Sequence, residues 1–181
     1  MRKLTILITL TMIMTTANAQ DKKSFYDFKT TTIDGKPFDL SSLKGKKVLV
    51  VNTASKCGHT PQYAQLEELY KKYGATNFTI IGFPANNFFR QEPGTNAEIQ
   101  EFCTRNYGVT FQMMSKISVK GKDMDPLYKW LTSKEENGFM DAPVKWNFQK
   151  FMIDENGHLV GMVPPGDLPT TEKIIHWIEG K

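Results

Sequence analysis

The chain contains few residues of the kinds that bind metals or form crosslinks. Among its 181 residues are only two cysteines, Cys57 and Cys103, and three histidines that lie far apart. The histidines share no spacing typical of a metal site, so we expect neither a metal nor another cofactor. Two cysteines can also form a purely structural disulfide, and this interpretation is kept as an alternative below.

The sequence also lacks a strong excess of one charge. The formal net charge is +4, and basic residues are interspersed with acidic ones, as in Lys71 and Lys72 against Glu67 and Glu68. This pattern is typical of a solvated mixed surface. No basic stripe indicates an interaction with nucleic acid.

No hydrophobic run is long enough for a spanning helix, which needs roughly 20 apolar residues. The longest, over residues 4–14, follows Arg2 and Lys3 and precedes a small-x-small site that ends at Ala19. This three-part layout predicts a secretory signal peptide at residues 1–19 rather than a membrane anchor. We therefore expect export to the periplasm or the extracellular space, and a single folded domain at residues 20–181.

The rest of the chain alternates between strand and helix patterns. Two runs rich in β-branched residues, KKVLVVN at 46–52 and FTIIGF at 78–83, predict buried strands. Thr60 is predicted to cap the helix between them, with Pro61 at its first position, and Thr95 with Glu98 forms a capping box for a second helix. Hairpins are predicted at 25–40 and 151–163, a short helix at 126–131 and a last helix around 174–178.

This order predicts an α/β, thioredoxin-like fold with an N-terminal β-hairpin and an inserted helix. A right-handed crossover makes the two buried strands parallel neighbours, and the second hairpin extends the sheet antiparallel. Fold alone does not determine function.

Cys57 lies between a predicted buried strand and the helix that follows it. This is the carboxyl end of a parallel strand, where open α/β sheets hold their ligands. The nearby helix N-terminus favours a thiolate over a thiol, and Lys56 and His59 can add positive charge. A thiolate there could attack the O–O bond of a peroxide and become a sulfenic acid, although many buried cysteines only pack.

Two common thiol motifs are missing around Cys57. Cys57-Gly58-His59-Thr60 lacks the second cysteine of a C-x-x-C pair, so the chain is not a standard dithiol exchanger. The peroxiredoxin pattern has threonine three residues before the reactive cysteine, and Ala54 stands there instead.

The segment VNTASKCGHTPQY at residues 51–63 resembles the active-site signature of the glutathione peroxidase family. The resemblance extends over residues 25–178. It includes further segments in the family's order: GFPAN at 82–86, QEPG at 91–94, NYGVTF at 106–111, PLY at 126–128 and WNF at 146–148. One departure adjoins the site, since NNFF at 86–89 puts Phe89 where the family usually has glycine, which adds apolar surface.

The resemblance implies a thiol peroxidase with Cys57 as its nucleophile, assisted by Gln91, Trp146 and Asn147. These three side chains carry N–H groups, which can stabilise a thiolate and the displaced oxygen. In the thioredoxin-dependent branch of the family, a resolving cysteine occupies the place of Cys103. It would form a disulfide with Cys57, and a helix around Cys103 would have to unwind locally for the two sulfurs to meet.

The resemblance also sets the expected partners. A thioredoxin-like dithiol protein is the expected reductant, with glutathione less favoured. The short segment at 131–143 lacks the family's oligomer-forming insertion, so we expect a monomer open to hydrogen peroxide and to organic or lipid hydroperoxides. Two alternatives remain: a peroxide-sensing thiol relay that passes its disulfide to a partner, and a non-catalytic domain with a structural Cys57–Cys103 disulfide.

Overall fold

The computed structural model describes residues 22–181. The predicted signal peptide at residues 1–19 lies outside this range. Within the described range, no helix combines the length and apolar character that crossing a membrane requires.

The described chain begins with a small antiparallel hairpin. A 3₁₀ turn at Phe25–Asp27 leads into β1 (Lys29–Thr31), which pairs with β2 (Pro37–Asp39). The connecting turn contains Gly35 at φ +87°, a conformation that glycine adopts without strain. The hairpin predicted at residues 25–40 is therefore confirmed.

A five-stranded sheet forms the centre of the domain. Its strands are β3 (Lys47–Thr53), β4 (Phe78–Pro84), β5 (Gln112–Met113), β6 (Lys150–Ile153) and β7 (Leu159–Val163), in the order β5-β4-β3-β6-β7. β3 and β4 are parallel, and β6 joins the other side of β3 antiparallel, both as predicted. The sequence patterns did not predict the two-residue edge strand β5.

Helices cover both faces of this sheet. α1 (Gln62–Tyr73), α2 (Asn96–Tyr107) and α5 (Glu172–Glu179) bury Leu66, Ile99 and Ile174 against one face. On the other face, α3 (Pro126–Thr132) packs Trp130 and Tyr128 with the N-terminal segment, and α4 (Lys134–Asn137) follows it. The predicted capping box is confirmed, since Thr95 and Glu98 bond reciprocally at the start of α2.

Candidate active site

The sheet topology places three loops at one edge. β3 and β4 are parallel and end together at Thr53 and Pro84, so residues 54–61 and 85–95 leave from the same edge. β6 runs the opposite way and begins there at Lys150, which pairs with Val51. All four predicted site residues therefore come from loops at the carboxyl end of β3 and β4, where such sheets bind ligands.

The loop that carries Cys57 is fixed by the hydroxyl of Thr60. This hydroxyl donates to the Ala54 carbonyl and accepts from the Cys57 backbone N–H, both at 2.9 Å. The prediction that Thr60 caps α1 is wrong. The cap position is Pro61, which has no side-chain donor or acceptor, because the Thr60 hydroxyl is engaged within the loop.

Cys57 is a free thiol with 8% of its surface exposed. The backbone N–H of His59 donates to its sulfur at 3.4 Å. The turn before α1 thus supplies the donor expected near a helix N-terminus, although α1 itself begins only at Gln62.

Gln91 and Asn147 lie together beside the Cys57 loop. The Lys56 backbone N–H donates to the Gln91 carbonyl at 3.0 Å, which joins the two loops directly. The side-chain Nδ2 of Asn147 donates to Gln91 Oε1 at 2.9 Å, and Asn147 is fully buried. Asn147 thereby orients the Gln91 amide, so its Nε2 can donate toward a ligand at this edge.

Asn52 hydrogen-bonds the backbone of Trp146, and two phenylalanine rings contact its indole. Asn52 Nδ2 donates to the Trp146 carbonyl at 3.1 Å. Phe88 and Phe89 lie against the indole, with ring centroids 5.4 and 5.5 Å away. The indole is half-buried and belongs to the same edge as Gln91 and Asn147.

A buried carboxylate near the site was not assigned any role from the sequence. Glu92 is 1% exposed, and its Oε2 accepts from the Ser55 hydroxyl at 3.1 Å. Burial raises its pKa, while Ser55 and the charges of Lys116 and Lys56 act in the opposite direction. The hydrogen bond between Ser55 and Glu92 stabilises the loop that carries Cys57. The only sequence signal for this role was the position of Glu92 in the QEPG segment.

A buried lysine stabilises the same region from β6. Lys150 Nζ donates to the carbonyls of Pro164, Pro165 and Asp167, and Gln62 at the start of α1 also donates to the Pro165 carbonyl. Burial lowers the pKa of Lys150 to about 8, against the opposing effect of Asp167. The segment after β7 is thus tied to the first residues of both β6 and α1. No sequence pattern indicated that Lys150 is buried, since a lysine in a strand normally faces solvent.

Cys103 lies inside α2 and is also a free thiol, 1% exposed. Burial raises its pKa to about 11, and the nearby charge of Glu92 acts in the same direction, whereas the Tyr63 hydroxyl acts against it. That hydroxyl is buried and lacks a hydrogen-bond partner of good geometry among the described residues. Cys103 is therefore held as a neutral, shielded thiol in this state of the protein.

Known proteins resemble this chain over most of its length. The family model for glutathione peroxidase matches residues 25–132. The glutathione peroxidase-like peroxiredoxin GPX5 of Chlamydomonas reinhardtii is 48% identical over 157 residues, which cover 84% of this chain and 96% of that protein. The hydroperoxy fatty acid reductase gpx1 of Synechocystis is 44% identical over 149 residues, covering 78% and 87% respectively.

The fold has a close counterpart among solved structures. A crystal structure of Trgpx in apo form superposes with a TM-score of 0.66 at 41% sequence identity. The match covers 87% of this chain and 96% of that chain. The thioredoxin-like fold predicted from the sequence is therefore confirmed.

The fold and the cysteine at its strand end define a thioredoxin-fold enzyme that works through a thiol. The chain belongs to the glutathione peroxidase family, among its cysteine-based, peroxiredoxin-like members. Its activity is that of a thiol peroxidase, and the relatives do not favour the thiol-relay alternative.

Proposed function

We propose that this chain reduces hydroperoxides through Cys57, with Gln91, Trp146 and Asn147 as its assisting residues. The Cys57 thiolate attacks one peroxide oxygen, so an S–O bond forms while the O–O bond breaks. The leaving alkoxide takes up the proton released by the thiol and departs as an alcohol, or as water from hydrogen peroxide. Cys57 is left as a sulfenic acid.

The observation that carries this proposal is the hydrogen-bonded pair of Gln91 and Asn147 against the Cys57 loop. Asn147 Nδ2 donates a hydrogen bond to Gln91 Oε1, so the N–H groups of the Gln91 amide point away from Asn147. Fixed N–H donors near a reacting oxygen stabilise the negative charge that develops on it. The side chains of Gln91, Trp146 and Asn147 do not have to gain or lose a proton. The thiol of Cys57 supplies the one proton that the reaction transfers.

In the proposed second step, Cys103 resolves the sulfenic acid. Its sulfur attacks the Cys57 sulfur, an S–S bond forms, and the hydroxyl leaves as water after taking the Cys103 proton. Sulfurs can bond only when the Cα atoms come within about 7 Å. Cys103 is buried within α2, and we propose that the C-terminal part of this helix opens for that approach. Burial of the reduced thiol keeps it unreactive until then.

The proposed reductant is a thioredoxin-like dithiol protein, which exchanges its thiols for the Cys57–Cys103 disulfide. The peroxiredoxin-like relatives support this choice over glutathione. The name of the Synechocystis relative supports fatty-acid hydroperoxides as substrates beside hydrogen peroxide. A monomer is proposed because the segment at 131–143 is short.

A coupled assay tests the proposed function. Purified chain is mixed with hydrogen peroxide and with a fatty-acid hydroperoxide, and NADPH consumption is followed with thioredoxin and its reductase, or with glutathione and its reductase. We expect sustained turnover with thioredoxin and none with glutathione, because an intramolecular disulfide is the species to be reduced. Turnover with glutathione alone would contradict the proposed reductant, and no turnover in either system would contradict the peroxidase itself.

We further propose that the chain is exported after cleavage behind Ala19, so its reductant is a thioredoxin-like protein of the same compartment. An oxidising compartment lacks a general pool of reduced thiols, so such a partner has to be supplied with electrons. Cleavage leaves Gln20 as the first residue, and the intact mass of the protein in the exported fraction reports it. A protein that keeps Met1 and stays inside the cell would contradict export.

A further inference from the structure

The most exposed large apolar side chain of the described residues lies beside the candidate active site. Phe89 is 85% exposed, yet its ring is 5.5 Å from the Trp146 indole at an interplanar angle of 50°. Phe88 lies against the same indole and is 6% exposed, so it packs in the core. Phe89 therefore adds little to the core and extends the apolar surface of Trp146 into solvent.

The backbone under this ring has a conformation that bulky residues rarely adopt. Phe89 has φ +48° and the following Arg90 has φ +53°. Glycine adopts positive φ without a steric cost, and phenylalanine does not. Residues in such strained backbone conformations occur mainly at functional sites, where the surrounding structure maintains the strained conformation. The phenyl ring at this position is thus retained at a conformational cost that its limited core packing does not explain.

The exposed charged side chains next to the candidate site residues in the chain are basic, whereas the neighbouring acidic residue Glu92 is buried, with 1% of its surface exposed. The segments 54–60, 86–91 and 143–149 contain the basic residues Lys56, Arg90 and Lys145 and no aspartate or glutamate. All three basic side chains are exposed. A fourth, Lys120, has its Nζ 5.8 Å from the Phe88 ring centroid. The apolar ring and these four basic side chains, called the cationic rim below, complement a molecule with a hydrocarbon body and a negative end.

We propose that Phe89 is a specificity-determining residue that, together with Trp146, contacts the hydrocarbon chain of an anionic organic hydroperoxide. This inference rests on the proposed function. The molecule that contacts the Phe89 ring is the peroxide substrate. The aromatic surface positions carbon atoms next to the O–O bond, while the cationic rim attracts the carboxylate. Hydrogen peroxide has no carbon to contact, so its reaction at Cys57 is independent of Phe89.

Stopped-flow oxidation of the reduced protein tests this proposal with Phe89→Gly. Glycine suits the positive φ, so this variant keeps the fold. Second-order rate constants are measured with hydrogen peroxide and with monomeric linoleic acid hydroperoxide. We expect the linoleate rate to fall about tenfold, the usual size of a lost apolar substrate contact. The hydrogen peroxide rate should stay within about twofold of wild type, and Phe89→Leu should retain most of the linoleate rate, because it keeps an apolar side chain.

Phe139→Ala is the matched control, because Phe139 is also an exposed phenylalanine, 50% exposed, and lies outside the segment 143–149 that contains Trp146. Its rates should equal those of wild type with both peroxides. An equal fall for both peroxides in Phe89→Gly would overturn the proposal, since the ring would then support Trp146 and not the substrate. Unchanged oxidation with slower reduction by thioredoxin would also overturn it, because the ring would then serve the protein reductant. Failure of the proposed function is distinguishable, because wild type would then react with neither peroxide.

Discussion

Cys57→Ser should abolish peroxide reduction, lowering the second-order rate constant for hydrogen peroxide by about a thousandfold or more. A serine hydroxyl stays protonated at neutral pH, so it cannot attack the O–O bond as a thiolate does. The substitution is nearly isosteric, so the loop fixed by Thr60 keeps its hydrogen bonds. The measurement is single-turnover peroxide consumption by the reduced protein.

Cys103→Ser is the matched control for this experiment, since it also removes one thiol but leaves the nucleophile. It should consume one equivalent of peroxide at the wild-type rate. Retention of substantial peroxide consumption in Cys57→Ser would show that another group carries out the reaction. A loss of the first equivalent in Cys103→Ser would mean that the two cysteines act together from the start.

Cys103→Ser should then stop after that single turnover in the thioredoxin-coupled assay. Without a resolving thiol, Cys57 stays a sulfenic acid and over-oxidises to sulfinic acid in excess peroxide. We therefore expect a burst of one equivalent, followed by loss of the steady state. The burst is measured by rapid peroxide quantification, and trapping with dimedone followed by mass spectrometry shows the sulfenic acid on Cys57.

The Cys103→Ser variant should keep the fold, so a change in its turnover reports on the mechanism. Serine replaces a buried thiol in α2, and the amide hydrogen bonds of the helix do not involve the side chain. Circular dichroism of Cys103→Ser should match wild type. If this folded variant sustains full thioredoxin-linked turnover, Cys103 is not the resolving residue and the thioredoxin reduces the sulfenic acid directly.

The main elements of the fold could be predicted because their signals are local. The runs at 46–52 and 78–83 are apolar on both strand faces, which is the pattern of buried parallel strands. The capping box of Thr95 and Glu98 depends on only four residues. The edge strand β5 has two residues, too few for any periodicity, and its place is set by pairing with Ile81 and Gly82 of β4.

The wrong prediction at Thr60 has a physical cause. Threonine before proline is a common helix start, but a hydroxyl that already bonds Ala54 and Cys57 cannot also cap the helix. That competition depends on how the loop folds back from β3, and sequence spacing does not report it. The same hydroxyl instead fixes the backbone of the residue on which the chemistry depends.

The site residues were assigned from motif resemblance, whereas their interactions required the structure. No pattern in the sequence indicates that Asn147 bonds Gln91 across 56 positions of the chain. The pairing of Ser55 with buried Glu92, across 37 positions, and the contact of Phe89 with Trp146 also join residues that are distant in sequence. Such contacts follow from the sheet topology, which brings three loops to one edge.

Disulfide mapping after a single oxidation tests most directly whether Cys57 and Cys103 form one catalytic pair. Reduced protein is treated with one equivalent of hydrogen peroxide, alkylated under denaturing conditions and digested with trypsin, which releases residues 57–71 and 91–105 as separate peptides. The mechanism predicts that these two peptides are joined after peroxide and are both alkylated after thioredoxin is added. Oxidised Cys57 beside an alkylated, unpaired Cys103 would contradict it.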